Sequence, residues 1–355
     1  MVSDKRPAPN DERQTINNLV GRYGLVILLI GLVISFSIAM PDSFATVTNF
    51  RSILDNQSVI VLLALAAMLP LIVGEFDLSV AAVLGLTQTF SIGLAANQGL
   101  PTPIAVVLGL IVGLLVGIAN GLVVVGLKVN SFVATLASAT VIGGIVLWYT
   151  GGAVIYDGVP QSLMSVATRQ VAGIPLSVYY AFGAALTMWF VLTRLAVGRR
   201  LYAVGGNRRA AELAGLHPPR FIVLAFACSG LLAAVAGIVL GARLGSAQAS
   251  SGDALLLPAY AGAFLGATAI TPGRFNAIGT LISVYALSVA VAGLQQLGAP
   301  QWVTSMFNGA VLIVAVAASG YANRSKLTRA RRAQLARIRE RPDAPSDEPT
   351  AAATT

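Results

Sequence analysis

The chain has 355 residues, 56% of them hydrophobic and only 10% charged, with a formal net charge of +9. A mean hydropathy of +0.79, and several apolar runs long enough to cross about 30 Å of hydrocarbon, exclude a soluble domain and predict an all-α polytopic membrane protein. A lone cysteine, Cys228, excludes an internal disulfide, and the absence of a Cys/His cluster argues against metal or redox chemistry.

Residues 1–23 are polar and of mixed charge, long for a signal-peptide n-region, and the apolar run after them lacks a small-x-small cleavage site. They read as a cytoplasmic amino-terminal segment before an uncleaved first span. Continuous apolarity predicts about ten spans, near 24–40, 57–74, 78–97, 103–127, 131–149, 175–193, 221–241, 255–270, 275–295 and 302–319. Gly and Pro within 255–270 and 302–319 predict broken or tilted segments there.

After the second span, "LPLIVGEFDLSV" (69–80) sets Glu75 and Asp77 between two apolar runs. Asp77 is placed to cap a helix beginning at Ser79, since a carboxylate accepts from the unpaired N–H groups of a helix N-terminus. Further on, "GLIVGLLVGIANG" (109–121) puts Gly109, Gly113, Gly117 and Gly121 on one helix face, where backbones can approach closely. Ordinary helix packing explains that stripe without a dimerisation face.

The longest polar connection, 194–220, has its own punctuation. Asn207 follows Gly205-Gly206 as an N-cap, Arg208, Arg209, Ala210, Ala211, Glu212 and Leu213 form a short helix, Gly215 ends it, and Pro218-Pro219 block continuation. Such a capped helix at a membrane surface is a docking element. The chain closes with a basic juxtamembrane segment and a Pro/Asp/Glu/Thr tail over 321–355, which cannot bury enough apolar surface to fold alone.

Lys and Arg fix the orientation. With both termini cytoplasmic, that side collects Lys5, Arg6, Arg13, Arg22, Lys128, the 194–220 loop, Arg274 and the tail, while Arg51, Arg169 and Arg243 fall outside. The positive charge is then topogenic and sits near anionic membrane lipid, not nucleic acid. In this topology Glu75 and Asp77 lie near the cytoplasmic end of the second span, away from the midplane penalty. The span interiors, read this way, carry essentially no ionisable residue, which argues against a buried proton relay. Neither H-E-x-x-H nor G-x-S-G is present, and His217 is the only histidine. Few groups remain for acid/base catalysis.

Four stretches carry a resemblance. "GEFDLSVAAVLGLT", "VNSFVATLASATVIGGIVLWYTGGAVI", "GRRLYAVGGNRRAAELAGL" and "ARLGSAQASSG" are similar, in order and spacing, to segments of the permeases of bacterial ribose/xylose/galactose-type ABC importers. The resemblance covers about residues 25–320 and implies a permease domain over 24–320. It also implies a second permease copy, a separate ATPase with two nucleotide-binding domains, and an extracytoplasmic substrate-binding protein. The chain has no G-x-x-x-x-G-K-[ST], so ATP and Mg belong to the partner and this chain binds no cofactor. By the same resemblance 205–216 is the coupling segment, with Arg208, Arg209 and Glu212 as its polar contacts and Ala210, Ala211 and Leu213 as its packing face.

Two departures stand out. Glu75 replaces the family's second glycine, and Thr271-Pro272 and Phe275-Asn276 replace its usual pattern beside Gly273 and Arg274. Both places echo each other after the second and eighth spans, as in an inverted repeat. Glu75 or Asp77 thus has a second reading, as a pathway group for sugar hydroxyls or a partner for Arg274 across a dimer. Uncharged pathway candidates are Gln57, Gln88, Asn120, Phe132, Thr135, Ser138 and Asn308, each also able to serve interhelical packing. The implied function is import of a monosaccharide or polyol across the bacterial inner membrane. Alternatives are a permease for a nucleoside, autoinducer or branched-chain amino acid, or a passive channel, which would need a polar constriction.

Overall fold

The computed structural model describes residues 9–318, with side chains from residue 22 onward; the first eight residues and the segment expected over 321–355 lie outside the described residues. The helices are α1 (Pro9–Ala39), α2 (Val47–Ile72), α3 (Val80–Ala96), α4 (Thr102–Gly126), α5 (Ser131–Thr150), α6 (Gln161–Thr168), α7 (Leu176–Arg194), α8 (Ala196–Gly206), α9 (Arg208–Leu213), α10 (Pro218–Leu244), α11 (Asp253–Gly266) and α12 (Ala277–Gln296), followed by α13 (Gln301–Ala318). A small antiparallel hairpin, β1 (Gln170–Val171) with β2 (Ile174–Pro175), precedes α7. The amino-terminal boundary expected at residue 23 falls inside α1.

Ten apolar helices follow the expected order, and eight of them are long and apolar enough to cross a membrane. The exceptions are α3, with 17 residues, and α11, with 14. Helix α3 begins inside the bundle, at the buried Ser79 and Val80, so fewer residues suffice to reach the surface, whereas α11 begins at the exposed Asp253. In the other direction, α2 starts ten residues before the expected span. This draws Arg51 and Asp55 into a helix and corrects the expectation of helices free of ionisable side chains.

The core forms around α2 and α10, each with 67% of its apolar window buried, whereas α1 and α13 bury only 6% of theirs. A helix apolar on all sides belongs in the middle of a bundle, and Val61 through Met68 of α2 are fully enclosed. Helix α10 packs on α3 and α4, and α2 packs on α11 and α12; α2 also meets α10, and α3 meets α11. This pattern maps onto itself when α2, α3 and α4 are exchanged for α10, α11 and α12.

The glycine stripe of α4 lies against α10. A Cβ on Gly113 would sit 2.7 Å from the Gly230 carbonyl oxygen, and one on Gly121 would sit 2.8 Å from Val223 Cα. The stripe is intrachain packing.

Two breaks interrupt the bundle. The link 73–79 joins α2 to α3, and the link 245–252 joins α10 to α11. They meet at the first turns of α3, where Gly252 lies against the Ala81 backbone and Gly85 faces the Ala249 carbonyl. The exchange pattern therefore pairs 73–79 with 245–252. The echo expected between Glu75 and 266–280 is corrected accordingly, because the α11–α12 turn occupies the place of the α3–α4 turn.

Candidate functional site

The α2–α3 link is built by chain reversal and then by capture from its neighbours. Pro70 lies in the last turn of α2, and its carbonyl accepts from Val73 and from Glu75, the latter at 2.9 Å. Gly74, at φ +81°, adopts the left-handed conformation that redirects the chain inward.

The next N–H groups all find side-chain acceptors. Phe76 donates to Ser131 Oγ at 3.0 Å, Asp77 to Tyr260 Oη at 3.2 Å, Leu78 to Thr135 Oγ1 at 3.0 Å, and Ser79 to Asp77 Oδ1 at 3.1 Å. The Tyr260 hydroxyl donates back to the Asp77 carbonyl at 2.9 Å. Buried backbone needs this complete accounting, because an unpaired N–H removed from water is costly.

The Asp77 carboxylate is 1% exposed. It accepts from Ser79 N–H, from Ser79 Oγ, and from Ser229 Oγ at 3.0 Å; Asn120 Nδ2 donates to Ser79 Oγ at 2.8 Å. Ser229 lies eleven residues into α10, roughly 16 Å along its axis, so Asp77 sits in the interior and not near the end of a span. Capping is corrected in detail as well. The helix starts at Val80 with Ser79 as its N-cap, and Asp77 acts from two residues outside by bonding its own backbone two residues on. Four helices, α4, α5, α10 and α11, hold this link.

Glu75 points the other way. Its carboxylate pairs with the Arg208 guanidinium of α9 within the same chain. Arg274 instead stacks over the Tyr202 ring, 3.9 Å from its centroid. Burial pushes the Tyr202 hydroxyl above the usual phenol range, with Arg274 pulling the other way, and it donates to the Phe275 carbonyl.

Around α9 the local grammar holds. Asn207 Oδ1 accepts from Ala210 N–H at 3.0 Å, Gly215 takes φ +81°, and Leu216 N–H returns to the Ala211 carbonyl at 3.0 Å. These bonds form a capped start and a glycine-terminated end. Gly205 and Gly206 close α8 instead of opening the turn, and Pro218 begins α10. Of the expected packing face, Ala211 is buried within the chain, whereas Ala210 is exposed and Leu213 is 81% exposed. Arg209 and Glu212 form a loose pair at 3.9 Å on the exposed side.

The uncharged candidates divide into groups. Asn120 and Thr135 join the Asp77 network. Phe132 meets Phe76 edge-on at 6.5 Å, and Phe76 stacks on Tyr260 at 6.4 Å. Ser138 is half-buried on α5. Gln57 and Asn308 come together with Ser288 and Thr304 around a separate cavity of about 120 Å³. Gln88 is buried on α3, donating to the Ser246 carbonyl at 3.0 Å, with no partner for its Oε1 among the described residues. A larger cavity of about 360 Å³ opens between α3, α5 and α11, bordered by Leu78, Ala82, Leu136, Ser250 and Asp253.

Several residues escaped sequence reasoning. Ser131 falls one turn before the candidate Thr135 on α5, a spacing that puts both on one face, but Ser229 and Tyr260 carry no local signal. Nor did Asp55 stand out. At the end of the bundle that bears the hairpin, its Oδ2 meets Arg243 Nε at 3.2 Å, while Ser177 donates to Oδ1 and Arg243 donates to Asn56 Oδ1 at 2.7 Å. Among the described residues, no group of three or more His, Cys, Asp or Glu lies together to hold a metal.

A family model described as "Branched-chain amino acid transport system / permease component" matches residues 49–316. The ribose import permease protein RbsC of Bacillus subtilis (strain 168) is 34% identical over 86% of this chain and 94% of its own length. The autoinducer 2 import system permease protein LsrC of Enterobacter sp. (strain 638) is 31% identical over 89% and 90%. The D-allose transport system permease protein AlsC of Escherichia coli (strain K12) is 30% identical over 83% and 90%. No solved structure matches the chain. With apolar spans and a match to permease components over most of its length, the chain is a membrane transport component rather than an enzyme, and it belongs to this family of permeases.

Proposed function

We propose that this chain forms the translocation pathway of an ATP-binding-cassette importer for a monosaccharide or related polyol. It works as a homodimer in the bacterial inner membrane with both termini cytoplasmic. Substrate arrives from an extracytoplasmic binding protein, and a separate ATPase with two nucleotide-binding domains supplies the energy. ATP and Mg are bound by that partner.

The observation that carries the reading is α9, a helix closed at both ends by its own chain that presents Arg209, Ala210 and Leu213 outward. Arginine is enriched at the energetic centres of interfaces, Arg209 and Leu213 stand outward on this helix, and the relatives named above are import permeases. The half-open cavity between α3, α5 and α11, where the starts of α3 and α11 approach each other, is the stretch of pathway that a second copy closes. It is mostly apolar with Ser250 and Asp253 at its edge, which suits weak passage of a hydroxyl-rich solute.

A second reading, import of a non-sugar solute such as autoinducer 2, is favoured by the LsrC relative. One experiment separates the two. The chain is co-purified with its candidate ATPase in lipid, and hydrolysis is measured with the binding protein and a panel of pentoses, hexoses, polyols and autoinducer 2. Sugar-dependent stimulation that is lost in Arg209→Glu/Leu213→Glu is the expected result. Stimulation by autoinducer 2 alone selects the second reading, and failure of any ATPase to associate with the wild type rejects both.

A further inference from the structure

Glu75 and the start of α9 are separated by 133 residues in sequence yet meet as an ion pair. The Glu75 side chain is only 11% exposed, against 48% for Arg208. A second contact lies beside it. Gly205, at the end of α8, presses on the last turn of α2, so that a Cβ there would lie 2.8 Å from the Ile72 carbonyl carbon and 3.1 Å from Val73 Cα. The α8–α9 junction therefore straddles the end of α2 at two points, one steric and one electrostatic.

From Glu75 the chain enters the interior, where the next three N–H groups are held by Ser131, Tyr260 and Thr135. Two of those residues stand on α5 and one on α11, the helices that border the 360 Å³ cavity. A displacement of α9 has two outcomes at this joint. It can leave the link behind, stranding a nearly enclosed carboxylate without its cation. Or it can carry the link along, and with it the side chains that hold the link.

We infer that Glu75 is a positioning residue for transport, whose pair with Arg208 passes movement of α9 into the α2–α3 link and onward to α5 and α11. The inference rests on the reading of α9 as the ATPase-docking helix. The pair leaves the outward face of α9, with Arg209, Ala210 and Leu213, uncommitted, so docking and transmission use different residues and can be separated by mutation.

The test is solute moved per ATP hydrolysed, in proteoliposomes holding the full complex. The variants are Glu75→Gln, Arg208→Gln and the exchanged pair Glu75→Arg/Arg208→Glu, each checked for monodisperse elution. Each single substitution is expected to lower the ratio about fivefold or more, the scale of an ordinary coupling free energy, while Glu75→Gln still captures the ATPase. The exchanged pair is expected to recover most of the loss, a coupling that independent sites would not show.

An unchanged ratio in Glu75→Gln overturns the inference, as does an exchanged pair that folds but recovers nothing. If either single variant does not fold, the neutral double variant Glu75→Gln/Arg208→Gln decides in its place, since it removes the pair without stranding the enclosed carboxylate. A wild type whose hydrolysis ignores the binding protein rejects the importer reading itself and this inference with it. A coupled wild type alongside a coupled Glu75→Gln rejects only the role of Glu75.

Discussion

Two ion pairs sit at opposite ends of this bundle, and they fasten different things. At the hairpin end Arg243 joins Asp55 with its side chain 14% exposed, Asn56 and Ser177 complete the set, and the helices so joined, α2, α7 and α10, already share a core. At the α9 end Arg208 is 48% exposed and joins the buried link to a helix of six residues. The first pair reinforces contacts that packing has made. The second connects a rigid body to a small one, so its contribution is to direction of movement more than to stability.

That contrast is sharpest if the link beneath Glu75 is itself immobile. Asp77→Ala removes the acceptor of Ser79 N–H, Ser79 Oγ and Ser229 Oγ at once and is expected to cost about 2–4 kcal/mol, read as a lower unfolding midpoint in detergent. An unchanged midpoint would move the flexibility from α9 into the link. Arg243→Ala comes next, at about 1–3 kcal/mol, because Asp55 loses its cation in a largely enclosed setting. Glu75→Gln should cost about 1 kcal/mol or less in the same assay; a loss equal to that of Arg243→Ala would erase the difference between the two ends. Leu213→Ala is the smallest, within about 0.5 kcal/mol on stability, and is expected to weaken ATPase capture in a pull-down. Retained capture would take Leu213 out of the docking face.

What could be read from the sequence was what is decided locally. The run of apolar helices and both ends of α9 follow from hydropathy, an asparagine cap and a terminating glycine, all within a few residues of the bonds they make. The glycine stripe of α4 was legible as packing for the same reason, although its partner helix was not. Glu75 was opaque because its cation is 133 positions away, and the placement of Asp77 was misjudged because Ser229, 152 positions away, draws it into the interior. Gln57 and Asn308 share a residue type with Asn120 and Thr135, but packing sends the first two to a cavity and the second two into the buried network around Asp77.

The bonds that shape α9 all lie within residues 207–216: the Asn207 cap, the return of Gly215 N–H to the Glu212 carbonyl, and that of Leu216 N–H to the Ala211 carbonyl. A segment whose caps are written in its own residues, and which meets the bundle chiefly through Ala211 and Arg208, is exchangeable. Grafting this stretch between permeases is expected to transfer the choice of motor subunit while leaving the bundle's solute preference untouched, on one condition. Where this chain is the host the graft must bring a cation at position 208, because Glu75 supplies the carboxylate.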